Sequence, residues 1–502
     1  MRRIPLWLMV VAGIARAQTE VIEGQLDGGG DFEMIPFQVP AGTAEVFIEH
    51  PSQQSENVLD YGLWDPTGFR GYGGGNSEGF GVSVTGATRS YLPGSIVPGT
   101  WAVMIGKAKV PMKPPRFRLE VTLRTTQTLA AQRRAELLPS SLSTEARWYA
   151  GDFHVHSRQS GDAKPTFEEI AAFASSRGLD FVELSEHNTN AHYGLIDDAQ
   201  RRLTNFLFIP GVEFTTYKGH ANGIGATKYV DHRLGLDGVT IDTAFAALKE
   251  QGAVVSLNHP LLDLGDSCIG CKWEHRVPRD LQAVEIATGG WDKTGVFFTR
   301  DTIAWWERIV SQGLRPAPIG GSDDHEGGAG SGAFYSPIGS PTTMVFANGL
   351  AVANIVEGVR LGHTVVKLQG PSDPMVDLRI GDGMVGDEVL VSEGEIVATV
   401  TGGDGAELII LRDGTEHARV PVSGAEFVHR EALMTSGRYR AEVHVGGEPR
   451  TITNNIWVSL VARPAGCGCV GGGEAVLAVL AVVVLRRRSR GWCPAREDEH
   501  QR

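Results

Sequence analysis

Among the side chains between residues 154 and 325 of the types that hold divalent metal ions, nine stand out by position: His154, His156, Asp162, His187, Glu213, His220, His259, Asp323 and His325. The tightest spacing lies in GDFHVHSRQSGDAKP, residues 151–165, where His154 and His156 take alternate positions and Asp162 follows six residues later. Successive strand side chains point to opposite faces, so residues two apart look the same way, roughly 7 Å apart at the backbone. Both rings can then reach one ion. The pattern HxH also arises on half-exposed strands with no such role, so the tripeptide leaves the question to the other groups.

The elements that must carry these groups are legible as a rhythm. Between Arg147 and Lys367 apolar runs alternate with helical patterns, the appearance of βα units. WYAGDFHV, DFVEL, LFIPGVEF, AVVSL, AVEI and APIGG are the strand candidates. One helix starts at a capping box of Thr166 and Glu169, carries Phe167, Ile170, Ala171 and Ala174 on one face, and ends at Gly178. Another, near Asp301–Gln312, buries Ile303, Trp306 and Val310. On this reading His154 and His156 end the first strand, His187 follows the second, and Glu213 ends the third with His220 seven residues on. His259 follows AVVSLN, and Asp323 and His325 follow APIGG. All fall at or just beyond a strand's C-terminal end, where (β/α) barrels gather their reactive groups. Singly, His187 or His259 reads as a satisfied structural histidine. Together, imidazoles and carboxylates buried at one mouth would cost several kcal/mol per ionised group, a penalty that divalent ions offset.

Taken in order, HVH with Asp162, SEHN at 185–188, GVEFTTYKGH at 211–220, LNHP at 257–260 and GGSDDH at 320–325 resemble the ligand motifs of the PHP family, named for polymerase and histidinol phosphatase. The resemblance spans residues 149–369. Within the family, GDFHVHS, PGVEFTTYKGHANGIG and WWERIVSQGLRPAPIGGSDDH are most similar to the exported metallohydrolase branch that includes carbaryl hydrolases. The resemblance implies a distorted (β/α)7 TIM-like barrel holding two or three divalent ions. His154, His156, Glu213 and Asp323 would hold one, Glu213 would bridge to a second bound by His220 and His259, and Asp162, His187 and His325 would hold the third. Asp162 stands where some members carry histidine, and Glu186 where aspartate is usual.

Mixed imidazole and carboxylate donors suit zinc, manganese or iron without choosing among them. Paired ions lower the pKa of a shared water toward roughly 7, which makes hydrolysis the expected chemistry. The substrate is expected to be a small-molecule phosphoester, nucleotide or oligonucleotide exonuclease-like activity included; the alternative is a carboxylic or carbamic ester or amide. A reading of a different class is an inactive surface-binding protein. Asp324 or Glu186 is a candidate for shuttling a proton. Arg158, with Lys164, Lys218 and Lys272, is placed to receive a phosphate, although each also reads as a solvated surface charge. Tyr217, Trp273 and Trp291 would line an apolar pocket for a carbamate or amide.

The rest of the 502-residue chain bounds these readings. A net charge of −13 argues against duplex nucleic acid as main partner, because phosphate binding needs a basic surface. With 42% hydrophobic and 21% charged residues it composes like an ordinary globular protein of two to four domains. Short alternating runs punctuated by glycine predict an antiparallel β-sandwich over 18–126, in which GYGGGNSEGFG lacks the GK[ST] of a phosphate loop and reads as a flexible surface loop. A linker follows over 127–148, the metal-bearing domain over 149–369, and a second, immunoglobulin-like sandwich over 370–462 that binds or spaces. MRRIPLWLMVVAGIARAQ has the charge, apolar core and small-x-small site of an export signal ending at residue 17. In the tail, 463–502, Cys467 and Cys469 precede an apolar run from Ala475 to Leu485 and then three arginines. That run is too short for a permanent membrane span. Its order resembles the C-terminal sorting tags of myxobacterial surface proteins. The expectation is an exported protein at the cell surface or outer envelope, its tail engaging membrane or sorting machinery, or secreted once the tail is processed. Cys268 and Cys271 in SCIGCKWEH stay open among a local disulfide, a small zinc site and a redox pair.

Overall fold

The computed structural model describes residues 17–135, 141–289, 295–330 and 335–461, and the chain up to Val461 is one compact unit. Residues 1–16 of the expected export signal, the sorting tail and Trp291 lie outside the described residues.

At the N-terminal side two four-stranded antiparallel sheets enclose one apolar core. The first takes Gln18–Gln25, Arg116–Arg124, Glu45–Glu49 and Phe80–Ser83 in that order; the second takes Phe32–Val39, Gly99–Lys109, Val58–Asp65 and Gly68–Gly74. Their alternation turns Val46, Ile48, Leu63, Trp101, Val103 and Leu119 inward to complete burial. The glycine-rich stretch expected as a loop begins as a strand. Gly71 is required there: it sits at φ +139°, and the Tyr91 Cα lies 2.5 Å from where its Cβ would stand.

The central strands depart from a closed seven-stranded parallel barrel and fall into two sheets. In one, Leu207–Pro210, Phe181–Leu184 and Ala146–Val155 run parallel, with Thr342–Asn348 and Thr364–Lys367 added antiparallel. In the other, Glu213–Thr216, Gly219–Ile224 and Val254–Leu257 are antiparallel, and Ala283–Thr288 and Ala317–Gly321 follow in parallel. Isolated bridges Val155–Asp324 and His187–Glu213 link the two. The expected strand LFIPGVEF is thus broken at Gly211, where any Cβ would collide with the Glu183 carboxylate. Glu213 therefore opens a strand instead of ending one, and His220 is the second residue of its strand.

The first helix matches its sequence signals. It spans Phe167–Ser176; the Thr166 hydroxyl accepts from the Glu169 N–H at 3.2 Å, and the Glu169 carboxylate accepts from the Thr166 N–H at 2.8 Å. Phe167, Ile170, Ala171 and Ala174 are buried, and Gly178 follows at φ +78°. The other runs longer than expected, Gly295–Ser311, and buries Trp306, Ile309 and Val310.

The sheet holding Ala146–Val155 does not stop near residue 370. Thr364–Lys367 pairs with Glu448–Thr453, and the ladder continues through Gly437–Val445 and Glu407–Arg412 to Thr415–Pro421. A four-stranded sheet built on Met375–Ile380 and Glu395–Thr401 shares a core with it that includes Val376, Leu378, Leu408, Ile410 and Val443.

One glycine shows how tightly the central strands are drawn together. A Cβ on Gly321 would meet the His154 side chain and fall 2.7 Å from a Glu285 oxygen. Gly321→Ala is expected to cost about 1–3 kcal/mol, read as a lower urea midpoint. An unchanged midpoint would show that the strands can part freely.

Candidate metal centre

The end of strand Ala146–Val155 is laced to the segment after Ala317–Gly321. The Asp323 N–H donates to the His154 carbonyl at 2.8 Å, and the His156 N–H to the Asp324 carbonyl at 3.0 Å. This sets Asp323 Oδ1 3.2 Å from His154 Nε2 and 3.1 Å from His156 Nε2. Glu213 is the hub. Its carboxylate lies 3.3 Å from His154 Nε2, 3.8 Å from His156 Nε2, 2.7 Å from His187 Nδ1, 3.2 Å from His220 Nδ1 and 3.3 Å from His259 Nε2. Asn258 Nδ2 donates to the same carboxylate at 2.9 Å and fixes its plane. On the outer side Asp162 Oδ2 lies 3.1 Å from His187 Nε2 and 3.6 Å from His325 Nε2. All nine residues singled out from the sequence therefore meet in one cluster.

The rings are aimed. His154 Nδ1 lies 3.4 Å from Glu285, His156 Nδ1 is 3.0 Å from the Ser160 hydroxyl, His259 Nδ1 is 3.2 Å from the Cys271 carbonyl, and His325 Nδ1 is 2.9 Å from the Asp323 carbonyl. With Nδ1 engaged, each ring presents Nε2 inward, the arrangement by which outer partners orient metal-binding histidines. His154 Nε2, His156 Nε2, His220 Nε2 and Glu213 Oε2 are buried and find no hydrogen-bond partner in the protein. Buried polar atoms are rarely left so; His154 Nε2 and His156 Nε2 face Glu213 and Asp323, while His220 turns Nδ1 to Glu213 and leaves Nε2 on its far side. Divalent ions fit this donor set: His154 with His156 and Asp323, His156 with His187 and His325, and His154 with His259 and Glu285 each bring their donor atoms within 4.8 Å of one another, as do His220 and His259 beside Cys271, whose sulfur is taken up in a disulfide. Asn188, His259 and Asp323 hold positive φ, +48°, +28° and +55°, a strain that persists only where packing over-determines the backbone.

The electrostatics describe a cluster that balances itself with protons when no cation is bound. Burial alone would drive every group toward its neutral form. The surrounding imidazoles nevertheless hold Glu213 and Asp323 well below the usual carboxylate range, and those carboxylates, with Asp162, raise His154, His187 and His325, the last to about 9. Burial, together with positive His325 and His187 on either side, depresses His156 to about 3.

Glu285 is a site residue that sequence reasoning missed. It sits in strand Ala283–Thr288, 2% exposed, facing His154 and accepting from the His259 N–H at 2.7 Å. Its only trace in the sequence is one carboxylate inside the apolar run AVEI. Glu285→Gln is expected to weaken metal affinity about 10–100-fold, as loss of an orienting partner does, measured by metal titration. Unchanged affinity would leave Glu285 a packing residue.

Three expected catalytic groups sit elsewhere. Asp324 is buried, and its carboxylate accepts from the N–H groups of Glu326 at 3.0 Å and Gly328 at 3.2 Å. Glu186, pushed up to about 8 by burial, accepts from the Ser157 N–H at 3.1 Å and from the Ser157 hydroxyl. Both carboxylates hold the ligand-bearing loops in shape. Arg158 is exposed and its charge acts on Glu169 at the start of the first helix.

A cavity of about 740 Å³ opens onto Asp162, His187, Glu213, His220, Asp323 and His325. Tyr217 lines it, whereas Trp273 is buried in the core. Arg158, Lys164, Lys218 and Lys272 do not line it. Cys268 and Cys271 are joined as a disulfide, and Cys268 forms part of the wall.

No family model matches the chain, and no curated protein matches it. Among solved structures it is similar to a two-domain protein of Bacteroides vulgatus described as containing a predicted PHP-like metal-dependent phosphoesterase. The identity is 19%, over 66% of this chain and 100% of that one, with a TM-score of 0.37. A candidate metal-dependent phosphoesterase of Bifidobacterium adolescentis is similar at 16% identity, over 37% of this chain and 91% of that one, with a TM-score of 0.25.

Proposed function

We propose that this chain is a metal-dependent hydrolase of the PHP type, acting on a phosphoester at a centre built around Glu213. One observation carries the reading: a single buried carboxylate stands 2.7–3.8 Å from nitrogens of five imidazoles, several of whose donor atoms have no partner in the protein. His154, His156, Glu213 and Asp323 would hold one ion, His220 and His259 a second shared through Glu213, and Asp162, His187 and His325 a third. Zinc, manganese and iron all suit these donors. Such ions supply Lewis acidity and make water a competent nucleophile near neutral pH. The protein's part is positioning: Glu285 and Ser160 fix the rings of His154 and His156, and the buried floor excludes bulk water. On this reading the two central sheets are the halves of a distorted (β/α)7 barrel.

A second reading, a carboxylic or carbamic ester or amide as substrate, is favoured by one observation: among the described residues no lysine or arginine lines the cavity. Bis(p-nitrophenyl) phosphate and p-nitrophenyl acetate share a leaving group and separate the two. With added manganese or zinc, preference for the phosphodiester is the expected result, and preference for the acetate selects the second reading. Metal-loaded protein inert to both and to amides would overturn the hydrolase and leave a surface-binding protein. The same proposal has the protein exported and held at the cell surface by its tail, which cell fractionation checks.

A further inference from the structure

The cavity over Glu213 is only partly built by the strands that carry the imidazoles. The N-terminal sandwich supplies Val58 and Ala108, from two strands paired with each other, and the run Gly73–Ser77. The junction is hydrogen-bonded. Asp60, 7% exposed, accepts from the Tyr72 hydroxyl at 2.9 Å and from the Tyr217 hydroxyl at 2.7 Å, joining residues 157 apart in sequence. Tyr217 lies in the turn between Glu213 and His220, and its ring stacks on Phe32 at 5.6 Å. The Ser90 hydroxyl donates to the Gln159 carbonyl at 2.8 Å, and the Ser90 carbonyl accepts from the Thr189 hydroxyl at 2.8 Å. The sandwich thus grips the loops that run on from His156 and His187 and the turn that leads into His220.

The wall these contacts create has a definite chemistry. Leu262, Leu264 and Ile269, from the segment leading into the disulfide, add apolar surface to Val58 and Ala108. The acidic side chains it presents away from the imidazole cluster are Asp60, which burial pushes toward its neutral form, and Asp266, 2.7 Å from Lys109. A polyanionic group there would meet carboxylates and no lining cation among the described residues, whereas an apolar group would remove its own surface and that of the wall from water. The wall is continuous with the centre, because Glu213 and His220, whose unpartnered atoms are buried, line the same cavity.

We propose that the N-terminal sandwich is the substrate-selecting half of the site, and that Val58, Ala108 and Gly73–Ser77, with Leu262, Leu264 and Ile269, bind an uncharged apolar group of the substrate beside the bond that is cut. The inference rests on the cavity being the hydrolytic site, and binding separates the two. Acetohydroxamate, 4-methylbenzohydroxamate and 4-sulfobenzohydroxamate share one metal-chelating head and differ only in the tail. Calorimetry on the metal-loaded full chain is expected to give the methylaryl compound at least 10-fold tighter binding than either of the others. Ala108→Phe, which fills the wall, should erase that advantage while metal content stays the same. Ser77→Lys, at an exposed position, should bring the sulfonate at least 10-fold closer to the methylaryl compound. Equal affinities for all three compounds, binding of none, or tail discrimination untouched by both variants would overturn the proposal. Tail discrimination in a protein that hydrolyses no phosphoester, carboxylic or carbamic ester or amide would instead sink the hydrolase and leave the binding half standing.

Discussion

Glu213→Gln will lower kcat/KM by about 10³-fold and cut the bound metal at the same time. The substitution keeps the side chain's length and nearly its volume, so the geometry around it has no steric reason to change. What it removes is the negative charge on which five imidazole nitrogens converge. It also places an amide NH₂ where an acceptor is needed, among ring nitrogens that in the metal-bound state are lone pairs. His154→Ala and Asp323→Ala should follow the same course, each with a far-ultraviolet circular dichroism spectrum close to that of the unaltered chain. Metal analysis on the purified variant is the deciding measurement. Full metal content and full turnover in Glu213→Gln would show that Glu213 is neither a ligand nor needed by the reacting centre.

Stripping the metals will abolish turnover and reverse the pH dependence of stability. In the metal-free chain His154, His187 and His325 have folded pKa values above the unfolded value of about 6.5. A raised imidazole pKa gives stability that is complete below the unfolded value and is lost as pH climbs through the folded one, about 9 for His325. The metal-free protein should therefore melt at falling temperature between about pH 6.5 and 9. The metal-loaded protein should not, because ions need neutral imidazoles and bind more tightly as fewer protons have to be displaced. With free metal at 1,000 times Kd, binding adds about 4 kcal/mol, so the two curves should diverge widely at the alkaline end. Thermal unfolding of both forms across this window checks the claim; parallel curves would mean that the imidazoles carry no protons in the metal-free state.

Much of the centre was legible because its chemistry is local. HVH works through strand alternation, and the Thr166–Glu169 capping box through a four-residue hydrogen-bond pattern; both are short-range and both stand in the structure as read. What escaped was set at a distance. Glu285 is one carboxylate in an apolar run, and only the approach of His154, 131 residues away, makes it a partner. LFIPGVEF reads as one strand because Gly211 is punctuation whose meaning depends on Glu183 lying beside it. The glycine-rich run after Tyr72 looked like loose surface for the same reason: the cavity that it lines is made by loops far along the chain. For Asp324 and Glu186, residue type says which groups can move a proton but not which backbone N–H groups their carboxylates accept from.

The ladder that runs on from Thr364–Lys367 leaves residues 149–369 without a downstream seam. Excised at that point, they would bare a raw strand edge with its peptide groups open, a template for self-association rather than a smaller enzyme. It also ties mechanics to catalysis. A load applied at Val461 would pass through Ile456–Leu460 into Gly437–Val445 and then, rung by rung, to the strand that holds His154, so tension on one end of the molecule would be felt at its imidazoles.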